Sequence, residues 1–259
     1  MKVAVTGKGG VGKTTLSAVL SHLYASEGRK VIAVDADPDA NLAQALGVSA
    51  AEIDKIKPIA DMADLIEERT GAKPGSVGSV FKMNPRVDDL PEEIGHKMGN
   101  ITLLMMGKAK TAASGCYCPE NVLLRQLLRH LVVDRDEIVI ADMEAGIEHM
   151  TRGTSEAVDA FIVVVEPGQR SIQTANTVKE MAQGLGVKKV FFVANKIRTD
   201  EDIEFLKNNI KGVQFLGALR FSQSLMDSDI RGISPFHGSP EAVSQVREIK
   251  QQLDAFARK

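Results

Sequence analysis

Cysteine is nearly absent: the 259 residues contain two, Cys116 and Cys118, one residue apart. A disulfide scaffold is thereby excluded, and a reducing compartment fits. No apolar run approaches the roughly 18 residues that a membrane span needs. The opening MKVAVTGKGG lacks a basic segment followed by a cleavable apolar one and reads as a strand running into a glycine loop. The expected location is the cytoplasm. An excess of one charge is also lacking: 32 Lys and Arg stand against 34 Asp and Glu, a net −2. Neither nucleic acid nor an anionic membrane is therefore expected as a partner. Internal repeats, low-complexity tracts and linkers are missing too. With 44% hydrophobic residues, the length suits a single α/β domain over residues 1–259.

What is present alternates. Apolar, β-branched runs at 3–6, 31–34, 101–105, 138–141, 161–165 and 190–194 read as strands buried on both faces. Helical patterns lie between them at 13–26, 120–131, 171–185 and 200–209. The alternation predicts a doubly wound, mostly parallel sheet flanked by helices. Residues 50–100, with four prolines and five glycines, break the rhythm and read as a surface insertion holding one short helix at 62–69. Near the end, Val243, Val246, Ile249, Leu253 and Phe256 have helical spacing, which predicts a helix docked on the sheet.

The segment Gly7-Lys8-Gly9-Gly10-Val11-Gly12-Lys13-Thr14-Thr15 fits the phosphate-loop pattern G-x-x-x-x-G-K-[ST] and stands between a predicted strand and a predicted helix. Glycines let backbone N–H groups turn inward around a phosphate, and the helix N-terminus adds positive potential there. Lys13 supplies charge to the β- and γ-phosphates of ATP, and the Thr14 hydroxyl is placed to ligate Mg²⁺. Carboxylates follow at strand ends, where ligands bind in open α/β sheets. Asp35 and Asp37 end the second strand, with Asp39 a solvated neighbour, and Asp142 ends the strand at 138–141. Asp35 and Asp142 are the candidates for holding Mg²⁺ directly or through water.

Cys116-Tyr117-Cys118-Pro119 precedes the helix from Glu120, and Pro119 suits a first helical position. A helix N-terminus favours thiolate. Two thiolates make half of a tetrahedral metal site, and a twofold dimer joining two such loops would supply four sulfurs. A redox pair or two inert cysteines are the other readings of the same residues.

GKGGVGKTT, with its early Lys8, resembles the deviant Walker A class of P-loop ATPases, which includes the nitrogenase iron protein and the MinD and ParA positioning ATPases. GCYCPENVLLR and DMEAGIEHMTRG narrow the resemblance to the CooC family of nickel-insertion accessory ATPases of carbon monoxide dehydrogenase. That resemblance covers most of the chain. It implies an ATP-hydrolysing homodimer in which Lys8 reaches the partner's nucleotide and Asp37 positions the attacking water. It implies switch II at Asp142 to Gly146, base contacts at Asn195, Lys196, Leu219 and Arg220, and Ni²⁺ or Zn²⁺ held at the dimer interface by Cys116 and Cys118. Relatives usually carry proline at the place of Arg220 and an acidic residue at that of Ser222. The implied client is the nickel-iron-sulfur enzyme carbon monoxide dehydrogenase; maturation of acetyl-CoA synthase and a MinD/ParA-like positioning role are the alternatives. A nitrogenase-type cluster would need a cysteine where His149 stands.

Overall fold

The computed structural model describes residues 1–74, 80–107, 118–144, 158–187 and 189–257. Eight strands form one sheet in the order β3-β4-β2-β5-β1-β6-β7-β8. They are β1 (Lys2–Gly7), β2 (Val31–Ala36), β3 (His96–Met98), β4 (Ile101–Met105), β5 (Ile138–Met143), β6 (Ala160–Val165), β7 (Val190–Ile197) and β8 (Gln214–Arg220). All pairs are parallel except β3 with β4, where the short strand runs antiparallel along the edge. The central strands β1, β2, β5 and β6 are buried along their whole length. Uninterrupted apolar runs are what a parallel sheet covered on both faces requires.

Side-chain alternation sends each strand's residues to two separate cores. Val3, Val5, Ala33, Ile140 and Ile162 meet α1 (Lys13–Ser26), α2 (Leu42–Leu46) and the last helix, α11 (Pro240–Ala257), on one face. Ala4, Val34, Val139 and Phe161 point the other way, onto α6 (Pro119–Val133). Next to it, Val163 and Phe192 pack with α7 (Gln169–Gly184) and α8 (Asp200–Asn209). Val243, Val246, Ile249 and Leu253 of α11 are all buried. Gly217 makes the approach to β8 possible, because a Cβ there would lie 2.5 Å from Cγ1 of Ile249.

Residues 50–100 build α3 (Ala50–Ile53), a 3₁₀ turn (Ile59–Asp61), α4 (Ala63–Thr70), α5 (Leu90–Glu93) and β3. Ile59, Ile66 and Leu90 join the α6-side core, and Arg69 of α4 ties to Asp89 at 3.0 Å and Glu93 at 2.9 Å. The remaining helices, α9 (Gln223–Ile230) and α10 (Pro235–Gly238), stand at the end of the sheet where the strands' C-termini open.

Candidate functional site

A cleft of about 560 Å³ opens above the C-terminal ends of the parallel strands. Its floor is the loop between β1 and α1, with Gly9, Gly10, Gly12, Lys13, Thr14 and Thr15 exposed to it. Gly10 (φ 77°) and Gly12 (φ 96°) take left-handed conformations that favour glycine. Gly12 is fixed twice over, since a Cβ there would also fall 2.1 Å from Nδ2 of Asn195. The buried Val11 closes the turn with its N–H on the Lys8 carbonyl at 3.4 Å. Lys8 is half-buried and makes no side-chain hydrogen bond or ion pair among the described residues.

Sheet register places the carboxylates. Asp35 on β2 stands directly beside Asp142 on β5, and Asp142 beside Val5 on β1. Asp142 is fully buried, and its Oδ2 accepts the Thr14 hydroxyl at 2.6 Å. Its Oδ1 is buried with no hydrogen-bond partner among the described residues. Burial pushes the Asp142 carboxyl up to about 6; the Thr14 hydrogen bond and Lys13 oppose the shift and Asp37 adds to it. Asp35 is pushed up to about 7, again chiefly by burial, against the hydrogen bond from Leu42 N–H. Its oxygens accept Leu42 N–H at 2.9 Å and Asp37 N–H at 3.3 Å, so it braces the turn from β2 into α2 and stays behind the cleft wall.

Lys13 Nζ lies 3.2 Å from Asp37 Oδ2, with both side chains nearly buried. The other Asp37 oxygen accepts Asp39 N–H at 3.0 Å. Glu144, one residue beyond β5, also lines the cleft. An orphaned carboxylate oxygen beside a threonine hydroxyl, with a lysine and the helix N-terminus adjacent, fits a divalent cation bound together with a polyphosphate.

On the far side, Asn195 and Lys196 line the cleft at an irregularity in the β7–β8 pairing. Lys196 has φ 57° and forms an ion pair with Glu166 at 2.9 Å. Leu219 is buried, and Arg220 turns to Asp200 at 2.6 Å; neither lines the cleft. Leu225 and Met226 of α9, with Ile233 and Pro235, form that wall instead. The sequence does not mark them, because a short helix with a weakly apolar face carries no phosphate or metal signature.

Cys118 is the residue before α6, with extended backbone (φ −102°, ψ 153°), and is buried. Cys116, Gly146 and His149 lie outside the described residues. Among the described residues, no group of three or more His, Cys, Asp or Glu is arranged to hold a metal ion. No described helix is long and apolar enough to cross a membrane.

Sheet order, glycine loop and paired strand-end carboxylates define a P-loop nucleoside triphosphatase of the MinD class. Residues 2–236 match the family described as the CobQ/CobB/MinD/ParA nucleotide binding domain, and the chain belongs to that family. It is 47% identical over 253 residues to the carbon monoxide dehydrogenase accessory protein CooC of Rhodospirillum rubrum, covering 98% of this chain and 96% of that protein. An uncharacterized ATP-binding protein of Methanocaldococcus jannaschii is likewise 47% identical, with 96% of each chain covered. Among solved structures, MinD in the MinC:MinD complex of Aquifex aeolicus superimposes with a TM-score of 0.70 at 21% identity, covering 98% of this chain and 96% of that one. MinD of Pyrococcus horikoshii, solved with Mg-ADP, gives 0.65 at 19%, with 99% and 97% covered. At those identities the likeness concerns the fold.

Proposed function

We propose that this chain is an ATP-hydrolysing accessory factor of carbon monoxide dehydrogenase. In this reading it works as a homodimer and carries nickel to the client on Cys116 and Cys118. The observation that carries the nucleotide half is the state of Asp142: one oxygen held by Thr14, the other buried without a partner among the described residues. A buried unpaired carboxylate oxygen is costly unless a ligand satisfies it. Support for the client comes from the 47% identity with a protein named for that role.

Thr14 and Asp142 are the residues that would hold Mg²⁺, which when bound neutralises charge on the β- and γ-phosphate oxygens. Asp35 holds the β2–α2 turn so that Asp37 faces Lys13. An incoming phosphate competes with Asp37 for Lys13. Asp37 is then released to accept a proton from, and orient, the attacking water. Lys8, without a side-chain partner among the described residues, is placed to meet the nucleotide of a second copy.

Cys116 and Cys118 supply two sulfurs per chain, and a twofold axis doubles them to four. Nickel and zinc are both within reach of such thiolates, and the nickel is cargo. Helix α11 argues against a membrane-positioning role, because its apolar residues are already spent on the sheet.

The test is titration of Ni²⁺ and Zn²⁺ into nucleotide-free, ADP-bound and ATP-bound protein, with molecular mass and phosphate release followed together. Expected are hydrolysis that Lys8→Ala removes while nucleotide still binds, and metal binding by a dimer whose affinity changes with the nucleotide. A chain that stays monomeric with both ligands supplied would defeat the delivery role and leave only a nucleotide binder.

A further inference from the structure

Asn195 already holds the phosphate loop before any base arrives. Its Nδ2 donates to the Val11 carbonyl at 2.7 Å, across a sequence separation of 184 residues, and its Oδ1 accepts Lys196 N–H at 2.8 Å. The residue is 6% exposed. It also presses on the phosphate loop at a second point, filling the space that a side chain on Gly12 would need.

The backbone around it is bent to allow this. The β7–β8 ladder shifts register between Ala194 and Ile197, an irregularity of the kind that re-aims a side chain out of the sheet. Lys196, immediately after, is the one non-glycine residue with positive φ among the described residues. Such strain persists only where surrounding contacts enforce it. Two contacts do so here: the hydrogen bond from Lys196 N–H to Asn195 Oδ1, and the 2.9 Å ion pair of Lys196 with Glu166 at the end of β6.

We propose that Asn195 is a positioning residue for the phosphate loop, holding Val11 and Gly12 in their phosphate-ready conformation whatever base the ligand carries. This rests on the nucleotide reading given above and departs from the base-reading role that family resemblance assigns to the position. A strut of this kind acts on the binding of any polyphosphate. A base reader acts only on ligands that have a base.

Inorganic tripolyphosphate with Mg²⁺ separates the two roles, because it has no base. Affinities of the full chain for Mg-tripolyphosphate, MgADP and MgGDP are measured in wild type, Asn195→Ala and the isosteric Asn195→Asp, which lacks the donor. The result expected in both variants is a roughly tenfold loss for all three ligands, the scale of one buried hydrogen bond, with the ADP-to-GDP ratio unchanged. Hydrogen exchange of the 8–12 amides in nucleotide-free protein should accelerate in both variants, and a conservative Asn195→Gln that regains the contact should slow it again. Unchanged tripolyphosphate affinity beside weakened MgADP, or a shifted ADP-to-GDP ratio, would overturn the proposal. So would unchanged loop exchange, which reads the strut even in a variant of low stability. Wild-type protein that binds none of the three ligands would instead refute the nucleotide reading, while the exchange comparison still decides the role of Asn195.

Discussion

At Gly12 two constraints fall on one residue. Its φ of 96° is unfavourable to any side chain, and Asn195 Nδ2 sits where a Cβ would go. Gly12→Ala is therefore expected to lower stability by roughly 1–2 kcal/mol from the left-handed backbone alone and to weaken MgADP binding, read by denaturant unfolding and by titration. Equal stability and affinity would mean that Asn195 moves aside freely. Asp142 offers a cleaner separation of fold from ligand. Asp142→Asn keeps an oxygen for the Thr14 hydroxyl but loses the charge that a divalent cation needs. In wild type, chelating Mg²⁺ should weaken ATP binding strongly. In Asp142→Asn the two conditions should converge, with thermal stability of the nucleotide-free protein maintained or raised, since a costly buried charge has gone. A variant that still loses affinity when Mg²⁺ is chelated would remove Asp142 from the cation site.

Among the elements, those built on strong local rules were legible in the sequence. The central strands show as apolar runs, the phosphate loop follows from glycine chemistry, and α6 follows from Pro119 and its leucine spacing. The edge strands were not legible. β3 is three residues, His96 to Met98, paired on one side only. β8 is interrupted by Gly217, which is there for the sake of α11 and not for the strand. The α9 wall of the cleft escaped for the same reason: Leu225 and Met226 are placed by tertiary contact, which leaves no periodic trace.

The junction of α1, α2 and α10 carries a pH-dependence that the sequence also hid. His22 of α1 stacks on Phe236 at 4.7 Å, meets His237 at 5.7 Å and donates Nε2–H to the Leu46 carbonyl at 3.0 Å. Burial, with the nearby His237, holds its pKa below the ordinary 6.5 despite that hydrogen bond. The folded protein therefore binds fewer protons here than the unfolded chain. By linkage, this contribution to stability is present above about 6.5 and is lost as pH falls through the lowered folded value. Thermal unfolding from pH 8 to pH 5 should show wild type losing stability more steeply than His22→Gln, whose amide can still donate to Leu46. Parallel curves would show that His22 is not responsible.

For the whole molecule, the decisive quantity in the proposed function is the coupling between nucleotide and metal. In the proposed nickel-carrying dimer each chain offers two cysteine sulfurs, so a four-thiolate site would form only between two chains and would bind one metal ion per two chains. If ATP favours the dimer geometry that closes this site, then the factor by which ATP tightens metal binding must equal the factor by which metal tightens ATP binding. Both factors are measurable in non-hydrolysing conditions, with the wild-type chain and a non-hydrolysable ATP analogue. Typical couplings of about 1–3 kcal/mol correspond to roughly 5- to 150-fold. Cys116→Ala should reduce both factors to one while leaving ATP affinity in the absence of metal unchanged, because the cysteines belong to no part of the phosphate loop. One metal ion per chain, or tightening of ATP by metal in Cys116→Ala, would place the ion elsewhere. The dimer would then owe nothing to its sulfurs.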